Sequence, residues 1–195
     1  MGRPRSFDTD AALDAALDVF WSRGFEATSI TDLTEAMGIQ RGSLYQAFGD
    51  KKALFLAALE RYLAVGRAAA EETIASAESP AAGLRTWLEA AMASGPERKG
   101  CFAVNATVEL SSHDPDVAQV TADHWRQLET LLAETLERAR EAGEIRGDVE
   151  PLDAARLLVA SLAGAQVLAR QKARGRGSPA VLASVLGTLL ADDDR

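Results

Sequence analysis

The fold is decided by residues 28–48, which read TSITDLTEAMGIQRGSLYQAF. The first half places three apolar residues at i, i+3 and i+7, the spacing of one helix face: Ile30, Leu33 and Met37. Ser29 followed three residues later by Asp32 is a capping-box pattern, which marks the start of a helix. Gly38 supplies the left-handed conformation in which helices commonly end. These residues predict a short helix that ends at Met37.

A second short helix is predicted from Arg41 to Phe48, with Leu44 and Phe48 on its inner face. Two short helices joined by residues 38–40 have the dimensions of a helix-turn-helix, whose second helix enters the major groove of DNA. The side chains left on the outer face are small or polar: Arg41, Gly42, Ser43, Tyr45 and Gln46. Arg can bond guanine and Gln can bond adenine at two points, so this face suits base edges.

Basic side chains and the N-terminus of the first short helix lie beside this predicted helix-turn-helix. Between residues 40 and 52 three cations oppose Asp50 alone, whereas the whole chain, with 21 basic and 29 acidic residues, has a net charge of −8. The sequence therefore predicts a local DNA-binding surface, with Arg5 on a basic N-terminal arm suited to the minor groove. Its predicted residues are Arg5, Thr28, Ser29, Gln40, Arg41, Gly42, Ser43, Tyr45, Gln46, Lys51 and Lys52.

The rest of the chain is also predicted to be helical, since no period-2 alternation is bounded by hairpin turns. Helices are expected at about residues 9–23, 51–77, 80–93, 101–111, 114–142, 151–172 and 178–191. Apolar residues make up 47% of the chain and its single cysteine excludes an internal disulfide. The longest apolar stretch, residues 157–169, is shorter than the ~18–20 residues of a membrane span. We therefore expect an all-α cytoplasmic protein.

Residues 25–33, 36–39 and 41–51 together resemble the DNA-binding domain of TetR/AcrR transcriptional regulators. The resemblance covers about residues 6–66 and implies a three-helix DNA-binding head there, followed by a larger helical ligand-binding and dimerisation domain over residues 67–195. It implies a homodimeric, ligand-responsive repressor of a palindromic double-stranded DNA operator; an activator is possible on the same fold. Gln40, Gln46 and Ala47 depart from the commoner family residues, which leaves the operator sequence open.

Two late helices rich in apolar residues are expected to pair with their copies in the dimer. The resemblance implies this role for most of their apolar stripe, although an intrachain core would use the same pattern. The predicted interface residues are Leu158, Ser161, Leu162, Ala165, Leu168, Leu182, Val185, Leu186 and Leu189.

The effector pocket is expected among the middle helices, because aromatic walls with a few polar groups suit a small-molecule site. The candidates, each of which could instead be core, are Trp87, Met92, Cys101, Phe102, Asn105, Glu109, Trp125 and Leu128. Asn105 and Glu109 are favoured, since polar residues at i, i+4 on an apolar helix need partners. Residues 100–105 also resemble a stretch of family members that sense electrophiles; for Cys101 an inert core thiol is the favoured alternative.

Catalytic and metal-binding motifs are absent from the sequence. His113 and His124 are the two histidines, and they show no recognised ligand spacing with the one cysteine. A nucleophile elbow, a glycine-rich phosphate loop and a paired-acid motif are all missing. We therefore predict no enzyme activity, no metal and no cofactor. The leading alternative is a small-molecule-binding helical dimerisation module without DNA function. DNA binding that does not change with salt concentration would favour this alternative.

Overall fold

The computed structural model describes residues 7–92, 99–170 and 179–191. Within these ranges the chain forms nine helices and no strand, apart from one isolated bridge between Ile145 and Leu190. The helices are α1 Thr9–Arg23, α2 Ile30–Met37, α3 Arg41–Phe48, α4 Lys51–Ala75, α5 Pro80–Met92, α6 Phe102–Leu110, α7 Pro115–Glu141, α8 Pro151–Ala169 and α9 Pro179–Gly187. The predicted all-α fold is confirmed.

Short-range hydrogen bonds set the helix starts in the N-terminal region. Asp8 accepts from the N–H groups of Asp10 and Ala11, and Asp50 accepts from that of Ala53 at 2.7 Å. The capping box predicted before α2 is present in both directions. Gln40, in contrast, makes no side-chain cap bond at the start of α3. The bounds of α1 and α3 are as predicted. α9 ends at Gly187, short of the predicted end near residue 191.

One apolar core joins α1–α4 to α6 and to the start of α7. Phe20 packs edge-on against Phe55, and Phe55 packs against Phe102 of α6, with ring centroids 5.1 and 5.4 Å apart. Ala103, Ala106 and Leu110 of α6 and Val117 of α7 are buried in this same cluster. The apolar core of the head therefore extends well past residue 66, the boundary suggested by the sequence.

A second core is formed by α5, α7, α8 and α9, and its most extensive helix pairing is between α7 and α8. α8 is long and apolar enough to cross a membrane by length and composition, but part of it is buried in this core, and one such helix is weak evidence of a span. Six residues expected at the dimer interface are buried within this core of the same chain: Leu158, Leu162, Ala165, Leu182, Leu186 and Leu189.

That burial changes which part of α8 and α9 is available to a second copy. Ser161 and Val185 are half-buried, and Leu168 is exposed. The other large apolar side chains exposed on these two helices are Leu152, Leu157 and Val167 of α8 and Val181 of α9. Side chains fully packed within one chain have little surface left for a partner. The stripe that the sequence assigned to the dimer is therefore mostly intrachain core, and the outward face lies next to it.

Candidate nucleic-acid interface and effector cavity

The recognition surface is the outer face of α3. Leu44 is fully buried against the head core, which fixes how the helix is rotated. Arg41, Gly42, Tyr45 and Gln46 are exposed as a result, and Ser43 is half-buried. The Arg41 guanidinium lies 5.5 Å from the Tyr45 ring centroid and donates to its hydroxyl at 3.2 Å. The predicted base-reading side chains thus lie together on one outward face.

The start of α2 is held by its own capping groups. The Ser29 hydroxyl and amide both donate to Asp32, and the Asp32 amide donates back to the Ser29 hydroxyl. The hydroxyl bond, then the amide bond and the neighbouring Arg23, lower the pKa of Asp32 to about 2. The adjacent Thr28 is buried: its hydroxyl donates to the Gly24 carbonyl and its amide to that of Phe25. The hydroxyl and the amide of Thr28 therefore both bond within the turn.

The two lysines predicted to flank the DNA have different surroundings. Lys51 lies 4.3 Å from the centre of the Phe25 ring. The Lys52 ammonium bridges Asp114 at 2.8 Å and Asp116 at 2.7 Å, and the hydrogen bonds that it donates to these carboxylates raise its pKa. Lys52 therefore ties the start of α4 to the start of α7 and would have to leave two carboxylates to reach a phosphate. Arg5 lies outside the described residues.

A cavity of about 610 Å³ lies between the two cores. The head contributes Trp21 of α1 and Tyr62 of α4 to its wall, and the C-terminal helices contribute most of the other side. Four predicted effector residues line it: Trp87, Cys101, Trp125 and Leu128. The Trp21 indole donates to the Gly100 carbonyl at 3.0 Å, so a head helix is joined directly to the cavity wall.

The other four predicted effector residues do not line this cavity. Met92 is buried in the C-terminal core. Phe102, Asn105 and Glu109 line a second cavity of about 320 Å³. Their polar groups have protein partners: the Asn105 amide donates to the Lys99 carbonyl, and Glu109 accepts from backbone N–H groups of the α1–α2 turn. Asn105 and Glu109 therefore both have hydrogen-bond partners, as expected for polar residues on an apolar helix, and these partners belong to the same chain.

Sequence reasoning missed the contribution of the head to the main cavity. Trp21 was not among the predicted effector residues, although it is one of only three tryptophans in the chain, which was the available signal. Tyr62 is half-buried beside Cys101, with its hydroxyl 3.6 Å from the sulfur. His124 also lines the cavity, and burial lowers its pKa to about 4. It is therefore neutral at pH 7.

Groups of three or more metal-ligating side chains do not occur among the described residues. The polar groups of the cavity wall are spread among several helices.

Comparison with known proteins places these features in a family. The family model described as bacterial regulatory proteins, tetR family, matches residues 12–58, and the tetracyclin repressor-like C-terminal domain matches residues 80–183. The HTH-type transcriptional regulator YezE of Bacillus subtilis is 36% identical over 76% of this chain and 78% of its own. The HTH-type transcriptional repressor ComR of Escherichia coli is 34% identical over 88% and 84%.

A solved structure shows the same architecture on DNA. The TetR-family regulator CifR, with cysteine substitutions and in complex with a 26-base-pair double-stranded operator, superposes with a TM-score of 0.84. It is 32% identical to this chain, and the alignment covers 96% of this chain and all of that one.

Proposed function

The chain belongs to the TetR family of bacterial regulatory proteins and is a DNA-binding transcriptional regulator; from that premise we propose that it is a homodimeric repressor released from a palindromic operator by a small molecule. The observation that carries the proposal is the outer face of α3. Its inner residue Leu44 is fully buried, so the core itself turns Arg41 and Gln46 outward. A polar face held in this way suits the major groove.

The proposed DNA contacts follow from the exposed groups. Base edges face Gln40, Arg41, Gly42, Ser43, Tyr45 and Gln46. Ser29, through the start of α2, and Lys51 lie beside the backbone, and Arg5 extends the surface at the N-terminus. Operator-bound CifR, which is 32% identical to this chain, supports binding of double-stranded DNA by this architecture.

The proposed dimer uses the outward face of α8 and α9. Leu157, Leu168 and Val181 are exposed there, and Gly164 has no atom within 4 Å of where a Cβ would lie, so a second helix could approach closely. A two-fold axis through this face presents two heads to two half-sites, as a palindrome requires.

The proposed effector site is the 610 Å³ cavity, because its wall includes both the head and the C-terminal helices. A ligand there contacts Trp21 of α1 and Tyr62 of α4 directly. It can therefore bind differently to two arrangements of the heads, which is what release from DNA requires. We propose that the protein acts in the cytoplasm, where the DNA is, and catalyses no reaction.

The test is a mobility-shift titration of the dimer on the DNA upstream of its own gene. Arg41→Ala should weaken binding by about 5- to 150-fold, since a bidentate base contact contributes ~1–3 kcal/mol. Arg85→Ala, which removes an exposed arginine from α5, is the matched control and should leave binding unchanged. Doubling the salt should weaken the complex steeply. A flat salt response with intact ligand binding would instead identify a dimerisation module without DNA function.

A further inference from the structure

The wall of the main cavity is strongly aromatic. All three tryptophans of the chain, Trp21, Trp87 and Trp125, line it together with Tyr62. Aromatic side chains bury large areas and prefer offset or edge-on contacts with other rings. A volume of about 610 Å³ lies within the ~300–1,000 Å³ of typical small-molecule sites. This volume accommodates a molecule that contains a single aromatic ring or two fused rings.

The charged groups of this wall have one sign. Arg67 and Lys99 line the cavity, whereas no Asp or Glu does so among the described residues. Glu71, 3.5 Å from Arg67, and Asp18, beside Lys99, pair with these cations, and neither carboxylate is part of the lining. A bound cation would therefore lose water without gaining a carboxylate and would face two like charges.

The remaining polar groups of the wall are neutral at pH 7. His124 is uncharged because burial lowers its pKa to about 4. Burial and the neighbouring Cys101 raise the pKa of Tyr62, which keeps the phenol protonated. Gln166 lines the cavity and donates its amide N–H to the Ala91 carbonyl. These groups can hydrogen-bond to a carboxylate, an amide or a carbonyl, but they bring no negative charge to the site.

We propose that the effector is an aromatic molecule that is uncharged or carries a single negative charge, of the class of aromatic amides and aromatic carboxylic acids, and that the cavity discriminates against aromatic cations. This inference rests on the proposed function, since it names the ligand of the site through which DNA binding is controlled. The aromatic wall selects the rings, and Arg67 and Lys99 select the charge.

The test compares three probes that share one ring system: 2-naphthoate, 2-naphthamide and 2-naphthylmethylammonium. Their affinities for the full-length dimer are measured by titration calorimetry at pH 7.5. The carboxylate and the amide should each bind at least tenfold more tightly than the ammonium. An ammonium that binds as tightly as either of the others overturns the proposal, and so does the absence of binding by all three at millimolar concentration.

Two variants test the role of charge within the same experiment. Arg67→Gln should weaken the carboxylate at least threefold relative to the amide; an unchanged ratio refutes the role of Arg67. Removing its exposed ion pair with Glu71 should hardly affect folding, because exposed pairs contribute little. Arg85→Gln, on α5 outside this cavity, is the matched control and should change neither affinity.

Mobility shifts with the same samples separate this inference from the regulator proposal. If the wild-type protein does not bind the operator when no probe is present, the regulator proposal is refuted. The order of the three probe affinities is still measured independently by calorimetry. Intact operator binding with the ammonium as the tightest probe refutes only the ligand class.

Discussion

Replacing Glu109 should loosen α6 from the α1–α2 turn of the head. Its two carboxylate oxygens accept from the amides of Phe25 at 3.1 Å and Glu26 at 3.0 Å, in the turn between α1 and α2. Hydrogen bonds to charged groups contribute ~1.5–3 kcal/mol each when buried. Glu26 is exposed, so water can replace part of this contact. We expect Glu109→Ala to lower the free energy of unfolding by about 2 kcal/mol.

The choice of substitution makes this prediction specific. Glu109→Gln keeps one acceptor oxygen but turns an NH₂ group toward a second N–H donor, so it should cost nearly as much as Glu109→Ala. For a domain of this size, ~2 kcal/mol corresponds to a loss of roughly 4–8 °C in Tm. Glu134→Gln, at an exposed position of α7, should change the Tm by less than about 1 °C and is the control.

Hydrogen exchange tests the location of the effect. In Glu109→Ala the amides of Phe25 and Glu26 should exchange faster, while the Gly24 amide, bonded to the Phe20 carbonyl at 2.8 Å, should keep its protection. A wild-type Tm for both Glu109 variants, or unchanged exchange at residues 25 and 26, would refute the reasoning.

Three further predictions concern other sites. Gly24→Ala should destabilise the protein by about 1–3 kcal/mol, because Gly24 has φ +85° and an added Cβ would lie 2.9 Å from both Glu109 carboxylate oxygens. Gly143 has φ +73° but open space around it. Denaturant titrations of Gly143→Ala therefore measure the backbone strain without the steric clash. Gly66→Ala should stabilise by about 0.5–1 kcal/mol, since Gly66 lies inside α4 with no atom within 4 Å of an added Cβ; a lower denaturation midpoint would contradict this. The pKa of His124 is about 4 in the folded protein and 6.5 in the unfolded chain. Between these pH values the unfolded chain binds a proton that the folded protein does not bind. The free energy of unfolding should therefore rise with pH from 4 to 6.5 and then level off. His124→Gln should remove that rise of up to about 3 kcal/mol, and exposed His113→Gln should not.

The sequence predicted the head well because its signals are local. Asp8, the Ser29–Asp32 capping box, Gly38 and Asp50 each act within a few residues, and the observed helices begin or end beside them. The outward face of α3 followed from the inner positions of Leu44 and Phe48. Contacts between distant segments left no such signal. Phe55 and Phe102 touch across 47 positions of the chain, so the inclusion of α6 in the head core could not be predicted from periodicity.

Periodicity was also insufficient for the C-terminal half. The apolar residues of α8 and α9 recur at the spacing of a buried face, and that face is indeed buried. The same pattern serves a contact within one chain and a contact between two chains, and the distinction depends on where α5 and α7 pack. For the cavity, half of the predicted residues line it because tryptophans are rare and large, whereas Trp21 was missed because α1 was assigned entirely to the head.

The contacts of the segment from Lys99 to Asp116 restrict how an effector could change the head. Trp21 is bonded to Gly100, the α1–α2 turn to Glu109, and Lys52 to Asp114 and Asp116. Together with the shared apolar core, these contacts favour movement of α6 with the head as one unit. Any rotation of that unit against the C-terminal core must then bend the elements that run between the two cores.

In α4 the stretch that meets this description is residues 64–69, all of which are exposed. It connects Leu63, buried in the head core, to Ala70 and Ile74, which are buried further along the helix. Gly66, the one glycine of α4, lies in the middle of this stretch and lines the cavity. A helix bends most easily where side-chain packing is absent and a glycine lowers its stiffness. Gly66→Ala should therefore reduce the response to an effector while operator binding without effector is retained, and a variant that responds as well as the wild type would place the bend in α7 instead.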